Sequence, residues 1–473
     1  MPLRRPTPHL RRFASLPLED LACVALFCFF ALQGAIPFIA PAQSQEMTAS
    51  APSSLTTIGG IASQALANAL ILVLLLRRPR HLLRDIADLP WLILPGALAA
   101  LAVVSTTWSL EPLLTLRRSL PFALAGLFGA WFASRYPLPR QLAILRLAMI
   151  LLALGTIALV VLDPSLGLDH SPGHEADWQG LFTQKNACGR MMVLATAILL
   201  CEPGRTLLRP SRLASLALFF FVLLMSGSRG AWMIEAALLL LFLLLSAARR
   251  SSQRVRLILA LAAPLATLAL GSVLLLDFHR FALVLGRDPT LTGRTAIWSQ
   301  VAHFIQQRPL AGYGYDAFWR GMQGPSLQIA AAVHFVVAHA HNGFLEMALE
   351  LGSAGLLLFA LSWLRGWLAL WPLWQRGKIE LVAWPLTVLI LIVLYDLDEN
   401  TLLIYNGLFW PLFVCALVTA ERLSKPALSK LRAQRGARRM GDPRHTAFAH
   451  AREILNNGRK PAAQFAESAQ ELS

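Results

Sequence analysis

The sequence predicts an all-α polytopic membrane protein. Of its 473 residues, 56% are apolar and only 14% are charged, whereas soluble domains have roughly 25% charged residues. Apolar runs of about 20 residues, the length that crosses a hydrocarbon core, recur along the chain. Basic residues fall mostly in alternate short loops between these runs, a charge asymmetry typical of multi-pass topology. A soluble protein could not bury so many apolar runs, so we expect one helical bundle.

Twelve spans are predicted from the apolar runs, and the alternation of basic loops holds across all of them. They lie near residues 21–40, 57–76, 91–104, 119–133, 141–162, 187–201, 213–226, 230–247, 257–276, 344–364, 381–395 and 402–420. This divides the chain into an N-terminal segment 1–20, a membrane domain 21–420 and a basic tail 421–473.

The loop charges predict the orientation of the chain. Most Lys and Arg fall on one side, together with the N-terminal segment and the tail, whereas loops 41–56 and 396–401 contain neither residue. The positive-inside rule therefore predicts that both termini are cytoplasmic. Ala40-Pro41-Ala42 resembles a cleavage site, but the preceding apolar run is longer than the 7–15 residues or so of a signal peptide. An uncleaved first span is expected.

The net charge of +16, from 42 Lys and Arg against 26 Asp and Glu, could indicate nucleic-acid binding. Because the basic residues alternate with the spans, they indicate topology instead, and no nucleic-acid partner is expected. The five cysteines lie in or beside apolar runs without a CxxC spacing, so they predict neither a metal site nor redox chemistry. The basic tail is expected to contact anionic membrane lipid.

Four cationic or titratable residues are predicted on the outer side, where the topology rule does not favour them. Arg294 and His341 belong to segment 277–343, the longest interruption between apolar runs; Lys185 precedes the sixth span, and Arg229 lies in a short turn. Arginine near a membrane is costly unless paired or hydrated, and its planar fork suits phosphate oxygens. The cluster therefore predicts an anionic ligand. A headgroup contact or a structural ion pair is the alternative for each residue.

His341 is the candidate general base, because an unperturbed imidazole accepts a proton near neutral pH. The sequence His341-Asn342-Gly343 also precedes an apolar run, so a role at the start of a helix competes with catalysis. His334 and His339 lie close by, but the spacing of His339 and His341 is not that of two ligands on one helix face. No metal and no other cofactor is expected.

Aromatic residues crowd the same outer segment. Tyr313 and Tyr315, in Gly312-Tyr313-Gly314-Tyr315, are the candidates for ligand contact, as stacking platforms for sugar rings. An interfacial belt or the core of a small subdomain is the competing interpretation for the aromatic residues. The acidic turn Asp396, Asp398 and Glu399 is also predicted on the outer side, where it would balance the arginines or hold an acceptor.

Several short motifs, taken in order, resemble the O-antigen ligase family, which includes Wzy-type exopolysaccharide polymerases. The resemblance covers roughly residues 107–355. The motifs are Trp108-Ser109-Leu110-Glu111-Pro112, the stretch 180–189 with Lys185-Asn186, Ser226-Gly227-Ser228-Arg229, Thr292–Trp298 with Gly293-Arg294, Arg308–Gly314, and His341–Glu346 with Glu350-Leu351-Gly352.

The resemblance implies a GT-C-like, metal-independent, inverting glycosyltransferase in the bacterial inner membrane, with its active site in the periplasm. Its donor would be an undecaprenyl-diphosphate-linked oligosaccharide. Carried over by motif, Arg229 and Arg294 would hold the diphosphate, Lys185 would be a further phosphate contact, and His341 would activate the acceptor hydroxyl. Partners in a polysaccharide export system are also implied.

The acceptor separates two branches of the resemblance: lipid A core for a ligase, and a second lipid-linked glycan for a polymerase. The amino-acid sequence in residues 291–295, 308–315 and 339–343 is more similar to the exopolysaccharide branch, which favours a polymerase. A transporter or flippase of an anionic substrate is the alternative of another class, although no internal repeat is visible. A non-catalytic assembly protein is a third, but it would not need the Arg and His cluster.

Overall fold

A computed structural model describes residues 17–34, 54–77, 79–170, 174–202, 209–276 and 294–440. Regular structure within these ranges is helical, apart from one isolated β-bridge between Leu168 and Trp178. The helices are α1 Leu18–Ala31, α2 Ser54–Arg77, α3 Pro79–Asp88, α4 Ile93–Val104, α5 Pro112–Arg135, α6 Leu138–Leu162, α7 Pro164–Gly167, α8 Lys185–Cys201, α9 Pro210–Met225, α10 Arg229–Arg250, α11 Gln253–Leu276, α12 Arg294–Gln307, α13 Gly324–Val333, α14 Gly343–Gln375, α15 Ile379–Asp398 and α16 Phe409–Met440.

The prediction of an all-α chain is confirmed, and a helix coincides with each predicted span. Among the described residues, seven apolar stretches are long enough to cross a membrane. They are Ile58–Arg77, Pro90–Thr107, Leu138–Leu162, Arg229–Arg250, Gln253–Leu270, Gly343–Gln375 and Ile379–Asp398. The number of twelve spans and the orientation of the termini stay predictions. Of segment 277–343, residues 277–293 lie outside the described ranges, as do segments 1–16 and 441–473.

The described residues up to Glu421 form one compact unit, and α15 is the most buried of its membrane-length helices. Of its apolar stretch, 83% is buried inside the protein, against 17% for α2, whose faces are left for lipid. α15 packs against α8, α10, α11 and α14. The acidic turn at Glu399 follows directly from this buried helix.

The predicted outer segment 277–343 is hydrogen-bonded to α14 at a break in that helix. Gly352 has φ 66° and ψ −165°, far from helical values, and this region of backbone space is essentially restricted to glycine. The break leaves carbonyl groups before it without partners inside the helix. They accept hydrogen bonds from the backbone of a neighbouring segment: Tyr313 N–H bonds to Leu349 O (2.9 Å) and Gly314 N–H to Glu350 O (3.0 Å). Backbone N–H and C=O groups in a membrane protein need hydrogen-bond partners within the protein. At the break in α14, segment 309–314 provides these partners.

The turn before α5 holds the other side of the same segment. The Trp108 indole donates to Ala311 O (3.0 Å) and Leu110 N–H to Tyr313 O (3.1 Å). Thr115 Oγ1 adds a bond to Tyr315 O at 2.9 Å. Two of the motifs that carry the family resemblance, Trp108–Pro112 and Arg308–Gly314, therefore fix the outer segment against the bundle.

The break at Gly352 generates a stability prediction. Gly352→Ala should lower the melting temperature of the detergent-solubilised protein, because a β-carbon there is strained by φ 66° and would collide with the Leu310 carbonyl. Such backbone strain costs of order 1–3 kcal/mol. The control is Gly96→Ala in α4, whose β-carbon would meet nothing within 4 Å and should be neutral or stabilising. Equal melting temperatures for the two variants would contradict this account.

Candidate active site

Four helix N-termini meet at the end of the bundle where α15 finishes, and three of them begin with a cation. Lys185, Arg229 and Arg294 are the first residues of α8, α10 and α12, and α14 begins two residues after His341. A helix N-terminus carries partial positive charge, so a cation there destabilises the helix. Nearby negative charge would offset the destabilisation that these three cations cause at one location.

Short contacts connect these helix starts. Ser228 Oγ, just before α10, donates to Asn186 Oδ1 in the first turn of α8 at 3.0 Å. Gly230 is the second residue of α10, and a β-carbon on it would lie 2.6 Å from Asp398 Oδ2. The backbone of α10 therefore runs directly beside the end of α15. The starts of α8 and α10 therefore lie against each other, and α10 lies beside the acidic turn.

Arg294 is held by that acidic turn. Its Nη1 donates to the Asp398 carbonyl (2.8 Å) and to Asp398 Oδ1 (2.7 Å), and its Nη2 lies 3.3 Å from Glu399 Oε1. Burial alone would lower the pKa of the guanidinium, but the two carboxylates outweigh it and raise that pKa. Arg294 is thus a fixed cation, 18% exposed, at the start of α12.

Glu399 joins Arg294 to His341. Its second oxygen, Oε2, lies 3.2 Å from His341 Nδ1, and the side chain is only 6% exposed. Burial alone would raise the pKa of this carboxyl, but the hydrogen bond from His341 and the charge of Arg294 outweigh it, so the pKa lies well below its usual range. An ionised carboxylate only accepts hydrogen bonds. Nδ1 of His341 therefore carries a proton, and Nε2 of the neutral ring is free to accept one.

The backbone around His341 is shaped for this orientation. His341 has φ 48°, in the left-handed region, which is uncommon for residues other than glycine. Asn342 follows as the N-cap of α14 and accepts from Phe344 N–H and Leu345 N–H at 3.1 and 3.0 Å. Gly343 N–H then bonds to the Glu399 carbonyl at 3.1 Å. The helix-start interpretation is observed, since Asn342 caps α14, and the role of His341 as a base stays a prediction.

His339, His341 and Glu399 form a group that could hold a metal ion by distance, because one ligand atom of each lies within 4.8 Å of the others. His341 N–H donates to His339 Nδ1 at 3.2 Å. That bond occupies the Nδ1 lone pair, so the proton of the neutral His339 ring resides on Nε2, the atom that faces Glu399. A metal ligand needs an unprotonated nitrogen. The local hydrogen bonding disfavours a metal at His339, although the sequence had not predicted this three-residue group.

Lys185 is paired with an aspartate. Its Nζ donates to Asp177 Oδ2 at 2.7 Å, and Asp177 also accepts from His174 at 3.0 Å. Arg229 differs, because it is exposed and makes no hydrogen bond or ion pair with any residue that the structure describes. Of the three cations, Arg229 is therefore the one whose guanidinium is free to take a ligand without losing a partner.

Tyr313 and Tyr315 do not face the site. Tyr315 is fully buried, its hydroxyl donates to Leu403 O (2.6 Å), and its ring contacts Phe122. Tyr313 is 4% exposed, and its hydroxyl donates to Phe304 O (3.0 Å) in a cluster with Phe318. Neither ring has a free face on which a sugar could stack, which argues against the predicted ligand contact. The competing interpretation, the core of a small subdomain, agrees with these positions.

Sequence reasoning understated one residue, Glu399, and missed two others. Glu399 was expected to balance arginines, but not to orient His341, because the two lie 58 residues apart. Asp177 carried no sequence signal that linked it to Lys185. Arg190 lies in the predicted sixth span, and an arginine inside an apolar run could have identified it.

Comparison with known proteins agrees with the resemblance found in the motifs. Residues 214–360 match the family model described as O-Antigen ligase. This match covers less than half of the chain, and over those residues the predicted resemblance is confirmed. It includes Arg229, Arg294 and His341, whereas Lys185 and Glu399 lie outside it.

Two curated relatives are similar over shorter stretches. "Exopolysaccharide production protein ExoQ" of Rhizobium meliloti (strain 1021) is 38% identical over 81 residues, which is 16% of this chain and 18% of that protein. "Putative polysaccharide ligase RP358" of Rickettsia prowazekii (strain Madrid E) is 36% identical over 78 residues, 16% of this chain and 19% of that protein. The matched stretch thus spans less than a fifth of the length of either relative.

His339 generates a pH prediction. Burial, to which the charge of Arg294 adds, lowers its pKa to about 3, against about 6.5 for an ordinary histidine. The unfolded chain then binds a proton that the folded chain does not, so this stability is fully present above about pH 6.5 and is lost as pH falls towards 3. The melting temperature should fall less between pH 7 and pH 5 in His339→Asn than in the parent protein.

The exposed His303 on α12 supplies the matched control for that measurement. His303→Asn should keep the pH dependence of the parent protein, since this ring lies at the surface. The account is wrong if His303→Asn and His339→Asn flatten the profile equally.

Proposed function

We propose that the protein is a membrane glycosyltransferase of cell-surface polysaccharide biosynthesis. It transfers a glycan from an undecaprenyl-diphosphate carrier to a hydroxyl acceptor at the outer face of the bacterial inner membrane. The observation that carries the proposal is the run of contacts from Arg294 through Glu399 to His341, with α10, which begins at Arg229, beside the same acidic turn. This arrangement offers both of the requirements of the reaction, an anion site and a base.

The reaction is a single displacement at the anomeric carbon of the donor. The acceptor oxygen forms a bond to that carbon while its bond to the diphosphate oxygen breaks, and the electron pair leaves with the lipid diphosphate. A single displacement inverts the anomeric configuration. The site must therefore remove one proton from the acceptor and stabilise negative charge on the leaving group.

His341 is the residue proposed to take the acceptor proton. Glu399 holds Nδ1, so Nε2 points away from that carboxylate, and the side chain is 32% exposed. A carboxylate that fixes the tautomer of a histidine and stabilises the imidazolium is the same device as the aspartate in a serine-protease triad. Glu399 acts through His341 in this role and is a positioning residue.

The leaving diphosphate is proposed to bind between Arg229 and Arg294, with Lys185 next to it. Arg229 brings a free guanidinium, and Arg294 is fixed by Asp398 and Glu399. The N-termini of α8, α10 and α12 add the partial positive charge of their free backbone N–H groups, which favours phosphate. Side-chain and helix charges thus supply the neutralisation for which other phosphate enzymes use a metal ion, so the transfer is proposed to be metal-independent.

The acceptor is proposed to be a second lipid-linked glycan, which makes the protein a polymerase of exopolysaccharide or O-antigen. The relative named for exopolysaccharide production and the wording of the outer motifs support this branch. The relative named as a polysaccharide ligase supports the alternative, in which lipid A core is the acceptor.

Substitution of His341 tests the base. His341→Asn retains a residue that tolerates the left-handed backbone but cannot take the proton, so glycosyl transfer should fall by about 10²–10⁴-fold. The amount of folded protein in the membrane and its melting temperature should stay near the parent values. Transfer by His341→Asn at the parent rate would remove His341 from catalysis.

Substitution of Arg229 tests the anion site. Arg229→Gln should weaken binding of undecaprenyl diphosphate by at least tenfold, because an unpaired guanidinium is lost. Arg117→Gln removes an exposed cation from the start of α5 and should leave binding unchanged. Binding should be titrated in detergent with both variants at the same ionic strength. An equal effect of the two substitutions would mean that Arg229 contributes only to the general surface charge.

The proposed reaction itself is tested by reconstitution of the protein in liposomes with a lipid-linked oligosaccharide, a chelator and either of two acceptors. We expect chain extension on a second lipid-linked glycan, at a rate that the chelator does not change. Transfer to lipid A core alone would establish the ligase. Movement of the lipid-linked glycan across the bilayer without a new glycosidic bond would identify a transporter and refute the enzyme.

A further inference from the structure

Ala340, the residue before His341, has both of its backbone polar groups bonded to side chains. Its N–H donates to Glu346 Oε2 at 2.7 Å, and its carbonyl accepts from the Trp298 indole at 2.9 Å. Ala340 itself is fully buried. The chain that enters His341 is therefore fixed by two side chains and not by regular secondary structure.

His341 needs such support because its backbone conformation is unfavourable. Its φ is 48°, and a residue other than glycine persists in the left-handed region only where the surrounding structure holds it there. The Asn342 cap and the bond from Gly343 to the Glu399 carbonyl fix the chain after His341. The contacts of Ala340 supply the matching constraint before it. Since φ describes rotation about the bond next to the Ala340 peptide, a tilt of that peptide would also turn the imidazole.

The placement of Glu346 fits a contact with Ala340 better than a charge at a helix start. An acid in the first turn of a helix is favourable by charge alone, which is the competing role for this residue. Glu346 is only 1% exposed, however, and its other oxygen, Oε1, accepts from the Trp319 indole at 2.5 Å. Two N–H donors on two oxygens suit a carboxylate, which only accepts. Because burial of a carboxylate is costly, a residue that served the helix start alone would be better placed in water.

Trp298 links the same peptide to α12. It follows Arg294 by four positions, so the two side chains lie on one face of that helix. Arg294 bonds to Glu399, which bonds to His341, and Trp298 bonds to Ala340. One helix thus contacts both the carboxylate that orients the imidazole and the peptide that carries it.

We propose that Glu346 and Trp298 are positioning residues of the transfer, which hold Ala340 so that Nε2 of His341 points at the acceptor hydroxyl. The inference rests on the proposed function and adds to it the residues that set the direction of the base. Glu346 and Trp298 act through His341 and contact neither substrate. A misplacement of about 1 Å at the reacting atoms can cost about 10²-fold in rate, so a small shift of Ala340 has a measurable effect.

Substitutions at position 346 in a Trp319→Phe background separate positioning from charge. Trp319→Phe removes one of the two donors, so Ala340 N–H is the donor that remains for residue 346. Glu346→Gln keeps an oxygen for that donor and should transfer at close to the rate of Trp319→Phe alone. Glu346→Leu has no acceptor and should lower kcat by about 10²-fold, with little change in KM for the donor. A role as helix-start charge predicts equal losses, because both substitutions remove the charge.

Trp298→Phe and Trp363→Phe form a matched pair for the carbonyl side. Each removes one partly exposed indole that donates to a backbone carbonyl at 2.9 Å, on Ala340 in the first case and on Leu389 in the second. The two variants should lose similar amounts of thermal stability. Only Trp298→Phe should slow glycosidic bond formation in liposomes, by about 10²-fold, because Leu389 lies within α15 and has no contact with His341.

Hydrogen exchange tests the hold on Ala340 without turnover. In the Trp319→Phe background, the Ala340 amide should exchange about tenfold faster with Leu at position 346 than with Glu or Gln, since local opening then breaks no side-chain bond. Mass spectrometry of a peptide that spans residues 339–345 reports this exchange.

Equal rates for Glu346→Gln and Glu346→Leu in that background would overturn the proposal, and so would equal slowing by Trp298→Phe and Trp363→Phe. If the parent protein forms no glycosidic bond but the exchange pattern is the one expected, the proposed function fails, whereas the hold of Glu346 on Ala340 stands.

Discussion

The carboxylate of Glu399 is the interaction on which the candidate site depends. Its two oxygens contact residues that lie 105 and 58 positions away, Arg294 and His341. Its backbone carbonyl accepts from Gly343 at the start of α14. One residue therefore sets the position of the cation, the tautomer of the histidine and the place where a membrane helix begins. It directly follows α15, the most buried of the seven membrane-length stretches, and its own side chain is 6% exposed.

The arrangement costs local stability. Three helices begin with Lys or Arg, where an acid would be favourable, His341 adopts a left-handed backbone, and the Nε of Arg190 is buried with no hydrogen-bond partner in the described ranges. Departures from local preference that collect at one location are typical of functional sites. Here each departure adds positive charge or fixes a proton acceptor, which are the features that the proposed transfer from a lipid diphosphate requires.

The sequence predicted the helices and the cations, because apolar length and loop charge are local signals. The roles of Tyr313 and Tyr315 could not be predicted in the same way, since burial depends on which elements pack over them. Segment 309–314 illustrates the difference: its glycines and aromatics look like a ligand loop, but its backbone completes the hydrogen bonds of a broken α14. Glu399 was assigned to the correct turn, yet only the fold shows which oxygen faces His341.

The most direct test of the central claim is a double-mutant cycle on the rate of glycosidic bond formation in liposomes, with Glu399→Gln, His341→Asn and the double variant. If Glu399 acts through His341, Glu399→Gln should slow the parent protein strongly and the His341→Asn protein much less, so that the two effects do not multiply. A rate that falls by the same factor in both backgrounds would contradict the account, because Glu399 would then act independently of His341.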